Sequence, residues 1–118
     1  MKQELLTKEL REKLPPLYSQ DGKGMQAVAH VKFFHPYGAG VWFATELDHA
    51  DGDTFFGWAE ICPGCGELGY FSLSELESLE ATINGVKIMG LQAIERDVSF
   101  QPTPLCDIAE INRSEIHP

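Results

Sequence analysis

The chain has 118 residues, 43% of them hydrophobic and 23% charged, and carries a net charge of −9. That length suits a single domain over residues 1–118 with a core of its own, needing no disulfides as staples. The negative charge argues against a phosphate-driven grip on nucleic acid. No apolar run approaches the roughly 20 residues of a membrane-crossing helix, so no membrane partner is expected.

The opening MKQELLTKELREKL mixes acids and bases and does not read as a signal peptide. Leu6, Leu10 and Leu14 recur every four residues and predict an amphipathic helix, with Thr7 as N-cap and Pro15-Pro16 as its stop. Leu17 and Tyr18 are then expected to cross onto a sheet, and SQDGKG is turn chemistry. Three runs rich in aromatic and β-branched residues follow, at 27–36, 40–48 and 53–61. In the first, Val28, His30, Lys32 and Phe34 fall on one face, and Ala29, Val31 and Phe33 on the other. Asp51-Gly52 is a hairpin signal between the second and third runs, which makes the three an antiparallel meander.

After CPGCGELG, Ser72 to Glu75 spells the S-x-x-E capping box of a helix from about Leu73 to Glu80, with Leu73, Leu76 and Leu79 facing inward. NGVKIMGLQAIERDVSF predicts one or two further strands, with turns at Asn84-Gly85 and Gly90. QPTP reads as a break, and residues 105–113 as a final helix with Leu105, Ile108 and Ile111 or Asn112 on one side. The fold class is therefore α+β: an antiparallel sheet with N-terminal, middle and C-terminal helices.

Charge is unevenly placed. Residues 1–32 hold six Lys or Arg against four acids, whereas residues 33–86 hold no Lys or Arg and nine acids. Such a segment attracts a cation or a basic protein surface, or serves as a solvated acidic surface. A nucleic-acid-binding module would have to rely on Lys2, Lys8, Arg11 and Lys13.

Cys62-Pro63-Gly64-Cys65 has the form of half a zinc knuckle, since Pro and Gly shape a turn that aims two thiolates at one point. A structural site needs four ligands, and Cys106, His30, His35, His49 and His117 have no motif spacing to complete it. No cofactor is expected; zinc at Cys62 and Cys65 is the exception to weigh, against the reading of a surface loop with free thiols. A redox C-x-x-C fits less well, because no Lys or Arg lies nearby in the chain. DHADGDT fails the EF-hand spacing. No hydrolase or phosphate-loop motif occurs. Glu46, Asp48 and Asp53 are candidates to converge at one hairpin end and hold Mg²⁺, against the reading that acids beside a turn are solvated. Trp42, Tyr70 and Phe71 read as core, and Trp42 and Tyr70 double as interface-anchor candidates. Arg96 is offered as the counter-charge to the acidic segment, and His30 as a hydrogen-bonded core residue. Three cysteines, an odd number, suit a reducing compartment, so a cytoplasmic location is expected.

The blocks LLTKELREKLPPLY, VKFF-P, W-FATELD, DGDTFFG, ELGYFSLSELES, ERD-SF-P and PL, taken in this order, resemble a bacterial and phage family known as domain of unknown function 2958. The resemblance runs roughly from Leu5 to Leu105, and ELGYFSLSELES followed by ERD is its most specific part. It implies small stand-alone proteins encoded on plasmids, integrative elements and phages; it implies no catalytic residues. The CPGC stretch departs from the family's pattern, where that segment is variable. The expected function is a non-enzymatic accessory or interaction protein that binds another protein through its acidic surface. A sharper version has that surface mimic DNA. The alternative is a metal-dependent enzyme or nucleic-acid processing factor, using zinc at Cys62 and Cys65 or Mg²⁺ at the three acids.

Overall fold

A computed structural model describes residues 3–115. Lys2 and His117, named above, lie outside the described residues.

The frame is a five-stranded antiparallel sheet of order β5-β4-β3-β2-β8. Its strands are β2 (Val31–Phe34), β3 (Val41–Leu47), β4 (Thr54–Glu60), β5 (Glu67–Ser72) and the short edge strand β8 (Glu95–Arg96). The predicted meander is its centre, and the α+β class holds. Register alternation gives the sheet two apolar faces. On the first, Val31, Phe33, Trp42, Ala44, Phe55 and Phe71 pack with Leu5, Leu6, Leu14, Leu73 and Leu76. On the second, Phe43 and Trp58 pack with Leu105, Ile108 and Ile111. Both faces are therefore covered, which explains why β3 is buried at every position from Trp42 to Leu47.

The helices follow their caps. Helix α1 (Lys8–Lys13) starts where the Thr7 hydroxyl accepts the Leu10 N–H, and it ends at Leu14, before the Pro pair. The cap places Leu6 ahead of the helix instead of on its stripe. Leu5, Leu6 and Leu14, which flank α1, are the buried leucines, while Leu10 is half-buried. Beyond α1, Pro16 bridges Leu47 in parallel fashion, and the Pro15 carbonyl accepts the Leu47 N–H. This is the expected crossing, but Tyr18 is left 64% exposed with φ of 72°.

Helix α2 (Leu73–Ser78) carries the predicted capping box: the Ser72 hydroxyl accepts the Glu75 N–H and donates to the Glu75 carboxylate. It is shorter than predicted. Glu80 instead opens β6 (Glu80–Ile83), which pairs only with β7 (Val86–Gln92) as a separate two-stranded hairpin. Leu79, expected to face inward, is 44% exposed as a result. Asn84 and Gly85 make the predicted turn, both with positive φ, 52° and 78°. Gly90 is not a turn. It lies within β7, where its N–H donates to Glu80 Oε2.

Two further expectations are corrected by long-range pairing. The run at 27–36 breaks at His30, because β1 (Val28–Ala29) pairs with Thr103–Pro104, and β2 pairs with β3 and β8. QPTP thus contributes a strand, β9 (Thr103–Pro104), and not a plain break. The last helix, α3 (Ala109–Glu115), is preceded by a 3-10 turn at Leu105–Asp107, with Leu105, Ile108 and Ile111 buried as predicted. Among the described residues, no helix is long and apolar enough to cross a membrane.

Candidate functional site

At the end of the sheet where the β2–β3 and β4–β5 turns meet, small residues replace bulky ones. On the first face Trp42, Ala59 and Glu67 share one row, and Ala44, Gly57 and Gly69 the next. Gly57 is forced by backbone approach, since a Cβ there would collide with the Phe43 carbonyl oxygen. These small side chains leave a groove of about 870 Å³, with Trp42, Ala59 and Gly69 in its floor. Its walls are Leu76, Ser78 and Leu79 from α2 and its end, His35 and Ala39 from the β2–β3 turn, and Ile61, Cys62 and Cys65 from the β4–β5 turn. Glu67 and Glu75 supply negative charge at the rim.

Of the residues predicted to bind, Trp42, Cys62 and Cys65 meet in this groove, and Tyr70 borders it. Trp42 is 6% exposed, so it is floor rather than a projecting anchor. Tyr70, read from sequence as core, is 59% exposed, and its ring packs edge-on against Phe56 on the opposite face. There the Tyr18 hydroxyl hydrogen bonds Tyr70 and raises its phenol pKa, and the nearby charges of Asp21 and Glu46 push the same way. A smaller cavity of about 350 Å³ lies on this side, lined by Gln20, Asp21, Thr45, Glu46, Phe56 and Leu68.

The acids predicted to gather at a hairpin end do something else. The register shifts between Ala44 and Glu46, and this bulge brings Glu46 to the 18–20 loop. Its two oxygens accept the N–H groups of Tyr18 at 3.0 Å and Gln20 at 2.7 Å. Asp48 accepts the Ala50 N–H inside the β3–β4 turn. Asp53 accepts both the N–H and the hydroxyl of Ser74, tying that turn to the start of α2. Among the described residues, no group of three or more His, Cys, Asp or Glu is placed to hold a metal ion. Arg96 does not answer the acidic segment; its guanidinium donates to the Glu4 and Leu5 carbonyls and pins the N-terminal segment to β8. His30 is half-buried, and desolvation lowers its pKa.

Cys62 and Cys65 are joined as a disulfide on an exposed turn, in place of the free thiols expected of a plain loop. The turn is held by its own backbone: the Cys65 N–H donates to the Cys62 carbonyl at 3.1 Å, and the Gly64 N–H to Glu60 Oε2 at 2.8 Å. Gly66 fixes it to the sheet, since any Cβ there would overlap the Trp58 indole. Cys106 is exposed and unpaired.

Residues 5–115 match the family described as "Protein of unknown function (DUF2958)". The chain belongs to this family. No curated protein and no solved structure matches it. The family match spans every strand of the sheet and every groove residue named above.

Sequence reading missed His35, Leu79, Glu67 and Glu75 as groove residues. One signal was available. Ala44, Gly57, Ala59 and Gly69 are small residues inside strands, which marks places where a sheet leaves room above itself.

Proposed function

We propose that the protein is a small, non-enzymatic interaction protein of the cytoplasm that binds a protein partner through the acidic-rimmed groove. The observation that carries this reading is the groove itself, with its apolar floor, exposed Leu79 and Ile61 on its walls, and Glu67 and Glu75 at the rim. Apolar surface rimmed by charge is the usual composition of a protein-binding patch. The partner surface it fits is apolar with basic flanks. The mobile-element setting, a plasmid, integrative element or phage, is supported by the family resemblance.

The DNA-mimic version has weaker support, because mimicry needs carboxylates arrayed free in solvent. Of the nine acids in residues 33–86, Glu46, Asp48, Asp51, Asp53, Glu60 and Glu80 each accept a backbone N–H within the chain.

The test compares the immobilised protein with its Leu79→Glu variant in a lysate of the host. One defined protein retained by the native chain and lost by the variant supports the reading. Equal retention by both, or none above a blank matrix, overturns it. Elemental analysis after purification without chelators covers the metal-dependent alternative. One zinc per chain or per pair of chains would favour it over plain partner binding.

A further inference from the structure

The Cys62–Cys65 disulfide has little left to stabilise. Its sequence separation is 3, and the turn it spans is already closed by the hairpin and by two backbone donors. A cross-link over so short a loop constrains the unfolded chain far less than one across a long loop. Both cysteines are exposed, and both line the groove. A reactive bond open to solvent at the mouth of a binding groove is the arrangement a thiol–disulfide exchange site requires.

We propose that Cys62 and Cys65 are an exchange site for a protein cysteine flanked by apolar and basic residues. The flanks follow from the groove: Leu79, Ile61 and Trp42 offer apolar contact, while Glu67 and Glu75 attract positive charge and repel acids. Disulfides in reducing compartments are typically transient ones of this kind.

The surroundings of Cys65 set the direction of attack. The Cys62 N–H lies 2.9 Å from Cys65 Sγ and stabilises negative charge there. Cys65 is therefore the leaving sulfur and Cys62 the one attacked. The partner thiolate attacks Cys62 Sγ; a bond forms between them as the Cys62–Cys65 bond breaks, and the electron pair departs on Cys65. Water protonates that thiolate, and the S–H then donates to the Cys62 carbonyl oxygen, 2.7 Å away. A second thiolate, from the partner or from glutathione, attacks the partner's sulfur. It completes a new disulfide and releases Cys62 as a thiolate, which water protonates in turn. In sum, two thiols become one disulfide, and the Cys62–Cys65 pair gains two electrons and two protons. The reverse sequence reduces a partner disulfide.

The test uses the full chain with Cys106→Ser, which removes the third, exposed thiol. Oxidised protein is mixed with either of two reduced peptides, one with its cysteine between Leu and Arg, the other with its cysteine between Gly and Asp. Opening is followed by alkylation and mass measurement. The Leu/Arg peptide is expected to open the disulfide at least about tenfold faster, the lower end of electrostatic rate enhancement. Its trapped adduct should map to Cys62. Glu67→Gln combined with Glu75→Gln, which removes the rim charge, should erase the preference, and Val98→Glu, an exposed change outside the groove, should keep it. Equal rates for the two peptides, or an adduct on Cys65, overturn the proposal. It rests on the groove being the partner site, yet fails separately: a lysate partner lost on Leu79→Glu together with equal peptide rates removes the exchange chemistry and leaves the binding reading intact.

Discussion

Glu46 shows how a residue's role is set by what its side chain reaches. A carboxylate 4% exposed, with both oxygens accepting backbone N–H groups, locks the loop that carries Tyr18 at positive φ. Gln20 completes the lock, its amide donating to the Val28 and Thr45 carbonyls and accepting the Val28 N–H. Replacing Glu46 by Ala leaves two amide donors without their acceptor, one of them in a buried bond. Hydrogen bonds to charged groups contribute about 1.5–3 kcal/mol, so Glu46→Ala should cost roughly 2–4 kcal/mol, with part of the loss recovered by water reaching the Tyr18 N–H. Urea unfolding of the variant checks this; a loss under about 0.5 kcal/mol, typical of a surface change, would contradict the lock. In sequence this residue read as a candidate metal ligand, because a bulge that redirects a side chain leaves no mark on residue spacing.

At the scale of elements, the hairpin of β6 and β7 stands apart. It pairs with no other strand, and β7 is exposed from Val86 to Gly90. Met89 is 88% exposed and Val86 60% exposed, and the Lys87–Glu80 ion pair, at 3.5 Å, sits largely in solvent. An isolated two-stranded hairpin is marginal in water, and a surface ion pair adds about 0–1 kcal/mol at most. Amide hydrogens at Ile83, Val86 and Lys87 should therefore exchange much faster than those of Phe43, Ala44 and Trp58 in the central strands. Native-state hydrogen exchange measures the difference, and equal protection would mean that the hairpin is packed in a way its exposure does not show. Sequence patterning found the Asn84-Gly85 turn but placed Glu80 in the helix. A helix ending at Ser78 differs from one ending at Glu80 by which partner claims the backbone bonds, and that partner, β7, lies beyond the turn.

For the whole molecule, the charge of −9 is the dominant electrostatic fact. Few cations oppose it. Lys32 meets Glu110 at 2.5 Å and Asp97 at 3.7 Å, holding the C-terminal helix and the β8 loop against β2. Folding concentrates like charges, so added salt should relieve repulsion and raise the melting temperature. A melting temperature that fell with salt would show that the Lys32 pairs outweigh the net repulsion.

Local sequence determined the α+β class, the three central strands, the two helix caps at Thr7 and Ser72, the Asp51-Gly52 and Asn84-Gly85 turns, and the family. Each rests on residues within a few positions of one another: a hydroxyl and the N–H it accepts, a period of two, a glycine that takes positive φ. The tertiary structure alone decided the rest. It joined Thr103–Pro104 to Val28–Ala29, made Glu46 the acceptor for the 18–20 loop and Asp53 the acceptor for Ser74, and placed Cys62 and Cys65 beside Trp42 and Leu79. Those outcomes depend on which distant groups a side chain or strand edge meets, and that is set by packing across the sheet instead of by spacing along the chain.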